Sequence, residues 1–255
     1  MPSSTWTPAA LSSEARSLAG TCWRFVEAQH SVSTAKLTDS AADQLLLEQL
    51  IDATKPRVPA ECAHLNYLLA TPFRYGAPYP HGSRFRRAGP TEGVYYASES
   101  PDAAAAEMTF HRLLFFAESP ATPWSGNPAE YTAFSARYAT GRAIDLTRKP
   151  LDADRAAWTH PTDYTAGQAL ADAARSTAID VIRYQSVRDL RHRANIALLT
   201  CRAFAKADIV ARQTWHIHLD AAGARAMREA PRHVLAFDRR AFAADPRLTG
   251  MKWRR

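Results

Sequence analysis

Apolar positions along the chain fall into short segments that alternate between strand-like and helix-like spacing. An apolar strand is expected over residues 22–26. Leucines at helical spacing predict a helix over residues 43–53, and Pro56 prevents it from continuing. A second helix is expected over 63–69. The stretch from 73 to 90 is dense in glycine and proline, which indicates an extended, turn-rich segment of the kind that carries functional loops.

The centre of the chain predicts a strand followed at once by a long helix. Residues 93–98 are aromatic and β-branched, and Ser100 with Pro101 supplies an N-cap and a first-turn proline for a helix over 101–116. Glu107 shares a face of this helix with apolar residues. A carboxylate on a packed face needs a partner, and His111 or Arg112 on the same helix is one candidate.

The second half predicts further short elements and completes the fold class. Strands are expected over 131–135, 142–146, 178–186, 195–204 and 214–219, and a helix over 163–176. This alternation predicts an α+β fold with a mixed or antiparallel β-sheet core and flanking helices. A doubly wound nucleotide-binding fold is disfavoured because neither a G-x-G-x-x-G turn nor a Walker-type lysine motif occurs.

Composition and charge place the chain among ordinary globular proteins. Hydrophobic residues make up 46% and charged residues 22% of the 255 residues. The net charge of +7 comes mostly from arginines spread along the chain without a basic block, which favours a solvated basic surface over a nucleic-acid patch. No apolar stretch is long enough to span a membrane and no signal peptide is visible, so a cytoplasmic protein without a membrane partner is expected.

The cysteines and histidines give no metal or disulfide signal. Cys22, Cys62 and Cys201 are scattered, odd in number and without C-x-x-C spacing, so we expect reduced packing residues. His216 and His218 share one face of a strand, but no further ligand stands at a suitable spacing. The expectation is therefore that the protein holds no metal.

Candidate chemistry is concentrated in a few polar residues of the central and later segments. Arg84 lies in the glycine-rich segment, Tyr95 and Tyr96 lie on the strand that follows, and Ser186 ends a later strand. Taken singly, each has an ordinary explanation, such as a surface arginine or a turn serine. Adjacent tyrosines point to opposite faces of a strand, so one is expected in the core and the other, by register Tyr96, is expected to be available.

Four short motifs in a fixed order carry a family resemblance. They are Leu68-Leu-Ala-Thr-Pro-Phe-Arg-Tyr75, Gly82-Ser-Arg-Phe85, Gly93-Val-Tyr-Tyr-Ala-Ser98 with Ala104-Ala-Ala-Glu107, and Tyr184-Gln-Ser-Val-Arg188. Over roughly residues 60–205 the chain resembles the RES domain, named after an Arg, a Glu and a Ser, and Arg84, Glu107 and Ser186 stand in those positions. Two features depart from the pattern. Phe85 and Arg86 stand where many members have Trp-Asn, and about 60 residues precede the motifs.

The resemblance implies a biological setting as well as a fold. Its members are toxins of toxin–antitoxin pairs with an ADP-ribosyltransferase-like fold, which degrade NAD or transfer its ADP-ribose, and a DNA-binding antitoxin blocks their site. By this resemblance, residues 1–60 form an extension packed on a catalytic domain of residues 61–255. NAD is the substrate and no cofactor is needed. A cognate antitoxin is the expected partner, nucleic acid is contacted only through it, and a homo-oligomer is compatible with the sequence.

The same resemblance gives the catalytic residues their roles. Glu107 would stabilise the cationic ribose that forms as the nicotinamide–ribose bond breaks, or hold the ribose hydroxyls. Arg84 would bind the pyrophosphate, with Arg24 as a second phosphate ligand. Ser186 would orient the ribose or the amide by hydrogen bonding.

The two tyrosines complete the expected substrate contacts, and the sequence leaves several functional alternatives open. Tyr96 would stack on the nicotinamide ring, with Tyr95 as the second substrate-binding tyrosine. The acceptor of ADP-ribose, whether water, phosphate or a protein, stays open. The alternative is a catalytically inactive module that keeps the fold and binds a nucleotide or nucleic acid. A nuclease toxin fits an Arg–Glu–Ser constellation poorly.

Overall fold

Eight strands form one mixed sheet, which confirms the predicted α+β class. The computed structural model describes residues 6–28, 37–74 and 82–254, so part of the predicted glycine-rich loop, 75–81, lies outside the described residues. The strands in chain order are β1 (Arg16–Glu27), β2 (Tyr95–Ser98), β3 (Ala129–Asp145), β4 (Val181–Gln185), β5 (Ala194–Leu198), β6 (Ala211–Asp220), β7 (Gly223–Arg228) and β8 (His233–Asp238).

The strand pairings close part of the sheet into a ring. The order is β1-β2-β5-β4-β3-β6-β7-β8, and β1 also pairs with β3, so the first five strands in this order meet again at β1. Only β3 and β4 run parallel; every other pair is antiparallel. The β6–β8 meander extends the sheet outward from β3. The ring is what gives the protein an inner and an outer face.

Six helices accompany the strands in the described part of the chain. They are α1 (Pro8–Ser13), α2 (Ala41–Thr54), α3 (Tyr67–Ala70), α4 (Pro101–Glu118), α5 (Arg155–Trp158) and α6 (Thr165–Ser176). The expected start of α4 is confirmed, because the Ser100 hydroxyl accepts the Ala103 N–H and Pro101 stands in the first turn. Residues 103–106 are four buried alanines, so α4 lies close against the sheet. No helix in the described part of the chain is long and apolar enough to cross a membrane.

Strand alternation assigns each strand residue to one face of the ring. On the inner face, one core cluster receives side chains from all five strands: Cys22, Tyr95, Phe134, Val181 and Ile196. Their strand neighbours point outward, toward the layer that contains α4 and α6. Adjacent residues on one strand are therefore separated by the sheet itself.

Several expected elements differ in extent from those observed. The segments expected over 131–135 and 142–146 belong to one long strand, β3. The residues between them also pair with β1, and the polar side chains among them take the less buried positions of the alternation. β7 and β8 were not anticipated. The expected strand over 195–204 ends at Leu198, and Cys201–Ala203 forms a 3₁₀ turn. No residue of α2 is buried, so its leucines contribute nothing to the core.

The expected division at residue 60 stays a prediction. β1 belongs to the first 60 residues and pairs with β3 from residue 16 to residue 27. The two parts therefore share one sheet.

Two of the three cysteines form a disulfide, so the expectation of three reduced cysteines is wrong for Cys62 and Cys201. They are 139 residues apart in sequence, but two 3₁₀ turns bring their Cα atoms to 5.9 Å, which no local spacing reveals. With Glu61 they form a cluster of three residues that carry metal-ligand atoms, and both sulfurs are committed to the bridge. Cys22 is free and buried, and burial raises the pKa of its thiol to about 12.

We expect the Cys62→Ser variant to unfold more easily than wild type without reductant, because the bridge restricts the unfolded chain. The loss should be roughly 2–4 kcal/mol in free energy of unfolding and should disappear in a reducing buffer. Urea unfolding in both buffers measures it. The control variant Cys22→Ala should change the free energy of unfolding by the same amount with and without reductant. A deficit of Cys62→Ser that is independent of reductant would contradict the bridge.

Candidate active site

Glu107 is fixed by two neutral donors at one carboxylate oxygen. The Ser186 hydroxyl and the Asn195 side-chain amide each donate to its Oε1 at 2.7 Å. Within residues 6–28, 37–74 and 82–254 no hydrogen bond reaches the other oxygen, Oε2. The alternative of a pair with Arg112 is not realised, since that guanidinium reaches Glu27 at 3.9 Å. The carboxylate is thus held at one oxygen and open at the other.

Ser186 has no exposed surface with which to meet a substrate. Its side chain is fully buried, and its oxygen accepts the backbone N–H groups of Arg188 and Asp189 at 3.2 and 2.9 Å. Its own proton goes to Glu107. The direct substrate contact expected for Ser186 is therefore not supported by its geometry, and the hydroxyl orients Glu107 instead.

Asn195 is the member of this cluster that the sequence analysis missed. It is buried in β5, and its Oδ1 accepts the Ser98 hydroxyl at 2.7 Å. The register places Asn195 opposite Ser98 on β2 and opposite Tyr184 on β4. A signal was present, because Asn195 is the one polar residue in an otherwise apolar strand and buried amides need partners.

Arg84 is held by the segment that joins α5 to α6. Its Nη1 donates to the Trp158 carbonyl at 2.5 Å, and its guanidinium lies 4.9 Å from the centre of the Tyr164 ring. Close packing of α6 requires Gly167, because a Cβ there would lie 2.4 Å from the Arg84 carbonyl oxygen. The arginine is thus fixed while part of its donor fork remains for a ligand.

Tyr96 holds the Arg84 segment from both sides. Its hydroxyl accepts the Phe85 N–H at 2.9 Å and shares a hydrogen bond with the Ser83 hydroxyl at 2.8 Å. Burial raises the pKa of this phenol to about 12, so it stays protonated. The geometry therefore gives Tyr96 a clear role in placing Arg84, whereas its expected stacking on nicotinamide stays a prediction.

Arg24 and Tyr95 do not join the other predicted residues. Both lie on the inner face of the ring, where the Arg24 guanidinium is 5.2 Å from the Tyr95 ring and donates to the Tyr96 carbonyl at 2.8 Å. Tyr95 is fully buried. Strand alternation puts them across the sheet from Glu107, so this geometry does not support their expected substrate contacts, which stay predictions.

The Tyr184 phenol interacts electrostatically with both Glu107 and Arg84. Burial is the main reason that its pKa lies well above the usual value, and the negative charge of Glu107 raises it further while the charge of Arg84 lowers it. The Phe85 ring meets the Tyr184 ring edge to face at 4.9 Å. Both charged groups therefore act on the same buried hydroxyl.

An ionic cluster around Asp245 holds the segment before α6 in place, and the sequence analysis missed it. Asp245 is buried and receives Arg188 at 2.7 Å and Arg247 at 2.8 Å. Both guanidinium groups also donate to the Pro161 carbonyl, at 2.9 and 3.3 Å. Burial lowers the pKa of Arg188, although the charge of Asp245 opposes this shift. The end of the chain thereby fastens the segment that carries Tyr164.

Comparison with known proteins gives one family match for the chain. Residues 57–220 match the model of the family described as RES domain, which confirms the resemblance carried by the motifs, and the matched region includes Arg84, Glu107, Ser186 and Asn195. Curated proteins gave no match. Among solved structures, a chain of the crystal structure of the M. tuberculosis MbcT–MbcA toxin–antitoxin complex is similar, with 12% identity over 83% of this chain and 91% of that chain and a TM-score of 0.47.

The adjacent tyrosines allow a matched test of this geometry. Tyr96→Phe leaves the Phe85 N–H without its partner, so we expect a loss of about 1–3 kcal/mol in free energy of unfolding and faster amide exchange at Phe85. The Tyr95 hydroxyl is buried without a hydrogen-bond partner among the described residues, so Tyr95→Phe should not destabilise the protein. Urea unfolding and hydrogen exchange of both variants measure this. Equal destabilisation of the two would contradict the assignment.

Proposed function

The chain belongs to the RES-domain family, and on that premise we propose that it is a toxin enzyme that cleaves the nicotinamide–ribose bond of NAD. ADP-ribose would pass to water, phosphate or a protein. A cognate antitoxin is the proposed partner and the cytoplasm the proposed site of action. Because disulfides are rare in that compartment, a bridged Cys62–Cys201 pair in the cell would contradict this localisation.

The held carboxylate of Glu107 is the observation that carries the proposal. As the nicotinamide–ribose bond breaks, positive charge develops at the anomeric carbon, and a preorganised carboxylate lowers the energy of that state. Oε2 is the oxygen left open for this contact. Nicotinamide leaves as a neutral molecule from a cationic ring, so the reaction needs no general acid.

Arg84 supplies the complementary charge in this proposal. NAD carries two phosphate groups, and a guanidinium donates to such groups through a planar fork that a lysine lacks. Tyr96 and the Trp158 carbonyl fix the backbone and the side chain of Arg84 respectively. Pyrophosphate held there would place the ribose at a defined distance from Glu107.

We expect Glu107→Gln to lower kcat for nicotinamide release about 100- to 1,000-fold, because the amide can keep both hydrogen bonds at Oε1 but carries no charge. Chromatography of NAD incubations, with and without phosphate and candidate protein acceptors, measures both nicotinamide and the ADP-ribose product. Glu118→Gln is the matched control, since Glu118 is exposed at the end of the same helix. Wild-type protein that leaves NAD intact with every acceptor would favour the alternative of an inactive binding module.

We expect Arg84→Lys to raise KM for NAD about 10-fold with a smaller change in kcat, because lysine keeps the charge but loses the bidentate geometry. Steady-state kinetics over a range of NAD concentrations separates the two constants. Arg87→Lys is the control, since exposed Arg87 pairs with Asp172 at 2.6 Å. An unchanged KM for Arg84→Lys would remove this residue from the phosphate site.

A further inference from the structure

We propose that Asn195, oriented by Ser98, is a positioning residue that holds Glu107 in its reactive arrangement. The expected effect on kinetics rests on the proposed NAD chemistry. The positioning of Glu107 itself rests on the hydrogen bonds alone. Both residues are buried, at 3% and 2% exposure, so neither has surface for a substrate. Their effect on catalysis must pass through Glu107.

The direction of the Asn195 amide is set by its two neighbours. Its Oδ1 accepts the Ser98 hydroxyl proton, which leaves Nδ2 pointed at Glu107. The reversed amide would place Oδ1 against a carboxylate oxygen, and two acceptors at 2.7 Å repel each other. Ser98 therefore donates to Asn195 and Asn195 donates to Glu107, so the hydrogen bonds run in one direction and end at the carboxylate.

Strand register, rather than a flexible loop, brings these groups together. Asn195 stands opposite Ser98 on one side and Tyr184 on the other, on the outer face of the sheet. The sheet register fixes the hydrogen bond between Ser98 and Asn195, and the packing of α4 on the sheet brings Glu107 to the Asn195 amide. A carboxylate placed by rigid elements needs little reorganisation when charge develops beside it.

The donors to Glu107 are neutral, which matters for the chemistry. The titratable groups that interact electrostatically with this carboxylate include His111 from the same helix, Tyr184 from β4 and Arg188 from the segment after Ser186. Arg188 is paired with Asp245 at 2.7 Å. Hydrogen bonds from Asn195 and Ser186 thus hold the carboxylate without neutralising it, and its charge remains for a cationic ribose.

The kinetic test uses Asn195→Ala and the milder Ser98→Ala, which removes only the group that orients the amide. We expect Asn195→Ala to lower kcat about 10- to 100-fold, with KM for NAD within about twofold of wild type, and Ser98→Ala to lower kcat less. Thermal unfolding of both variants verifies that they fold. Wild-type kcat in a folded Asn195→Ala protein overturns the proposal.

A pH readout separates positioning from a general structural effect. Asn195→Asp puts a second carboxyl beside Oε1, so the two groups would share a proton and the acidic limb of the kcat profile should move to higher pH. Asn66→Asp is the matched control, because the Asn66 amide donates to the Asp208 carboxylate at 2.8 Å against the opposite face of the sheet. It should leave the profile unchanged.

Direct titration of Glu107 by ¹³C NMR distinguishes failure of this proposal from failure of the proposed function. If wild-type protein releases nicotinamide but Asn195→Asp leaves the pH profile in place, the positioning role is wrong and the NAD chemistry stands. If wild-type protein is inactive, the titration decides. An upward shift of the Glu107 titration in Asn195→Asp, absent in Asn66→Asp, supports the contact, and identical titrations overturn it.

Discussion

The two hydrogen bonds at Glu107 Oε1 are the constraint on which the rest of the site depends. A half-buried carboxylate must find donors, since an unpaired charge is costly to remove from water. Here the donors come from β5 and from the residue after β4, while the carboxylate comes from α4. The arrangement holds only if α4 packs closely on the sheet, which its buried alanines permit, and if β2, β5 and β4 keep their register.

The ring of strands explains why neighbours in sequence have unrelated roles. Tyr96 braces the arginine segment on the outer face, whereas Tyr95 packs against Arg24 inside the ring. Each of the two proposed catalytic groups is therefore held by neighbouring residues: Tyr96 holds the segment of Arg84, and Asn195 with Ser186 holds Glu107. Substitutions of those neighbouring residues change the placement of a charge rather than remove it.

Much of this could be read from the sequence, and the limits have physical causes. Periodicity gave the α+β class and the start of α4, and the motifs gave Arg84, Glu107 and Ser186. Long-range contacts could not be predicted. The Cys62–Cys201 bridge and the Asp245 cluster join residues that are far apart in sequence, and no local sequence pattern relates them. The position of Arg24 across the sheet from Glu107 could not be predicted, because a strand pattern shows which residues alternate but not which face of the sheet carries the candidate site.

The distance along the chain between Glu107 and its donors sets an order of assembly during synthesis. Ser186 and Asn195 lie 79 and 88 residues later. A ribosome releases the N-terminal part first, so α4 and Arg84 emerge while both donors are still untranslated. A nascent chain that stops before residue 195 carries the arginine and the carboxylate but lacks their arrangement. The polypeptide thus acquires the complete set of hydrogen bonds at Glu107 only after residue 195 has been translated.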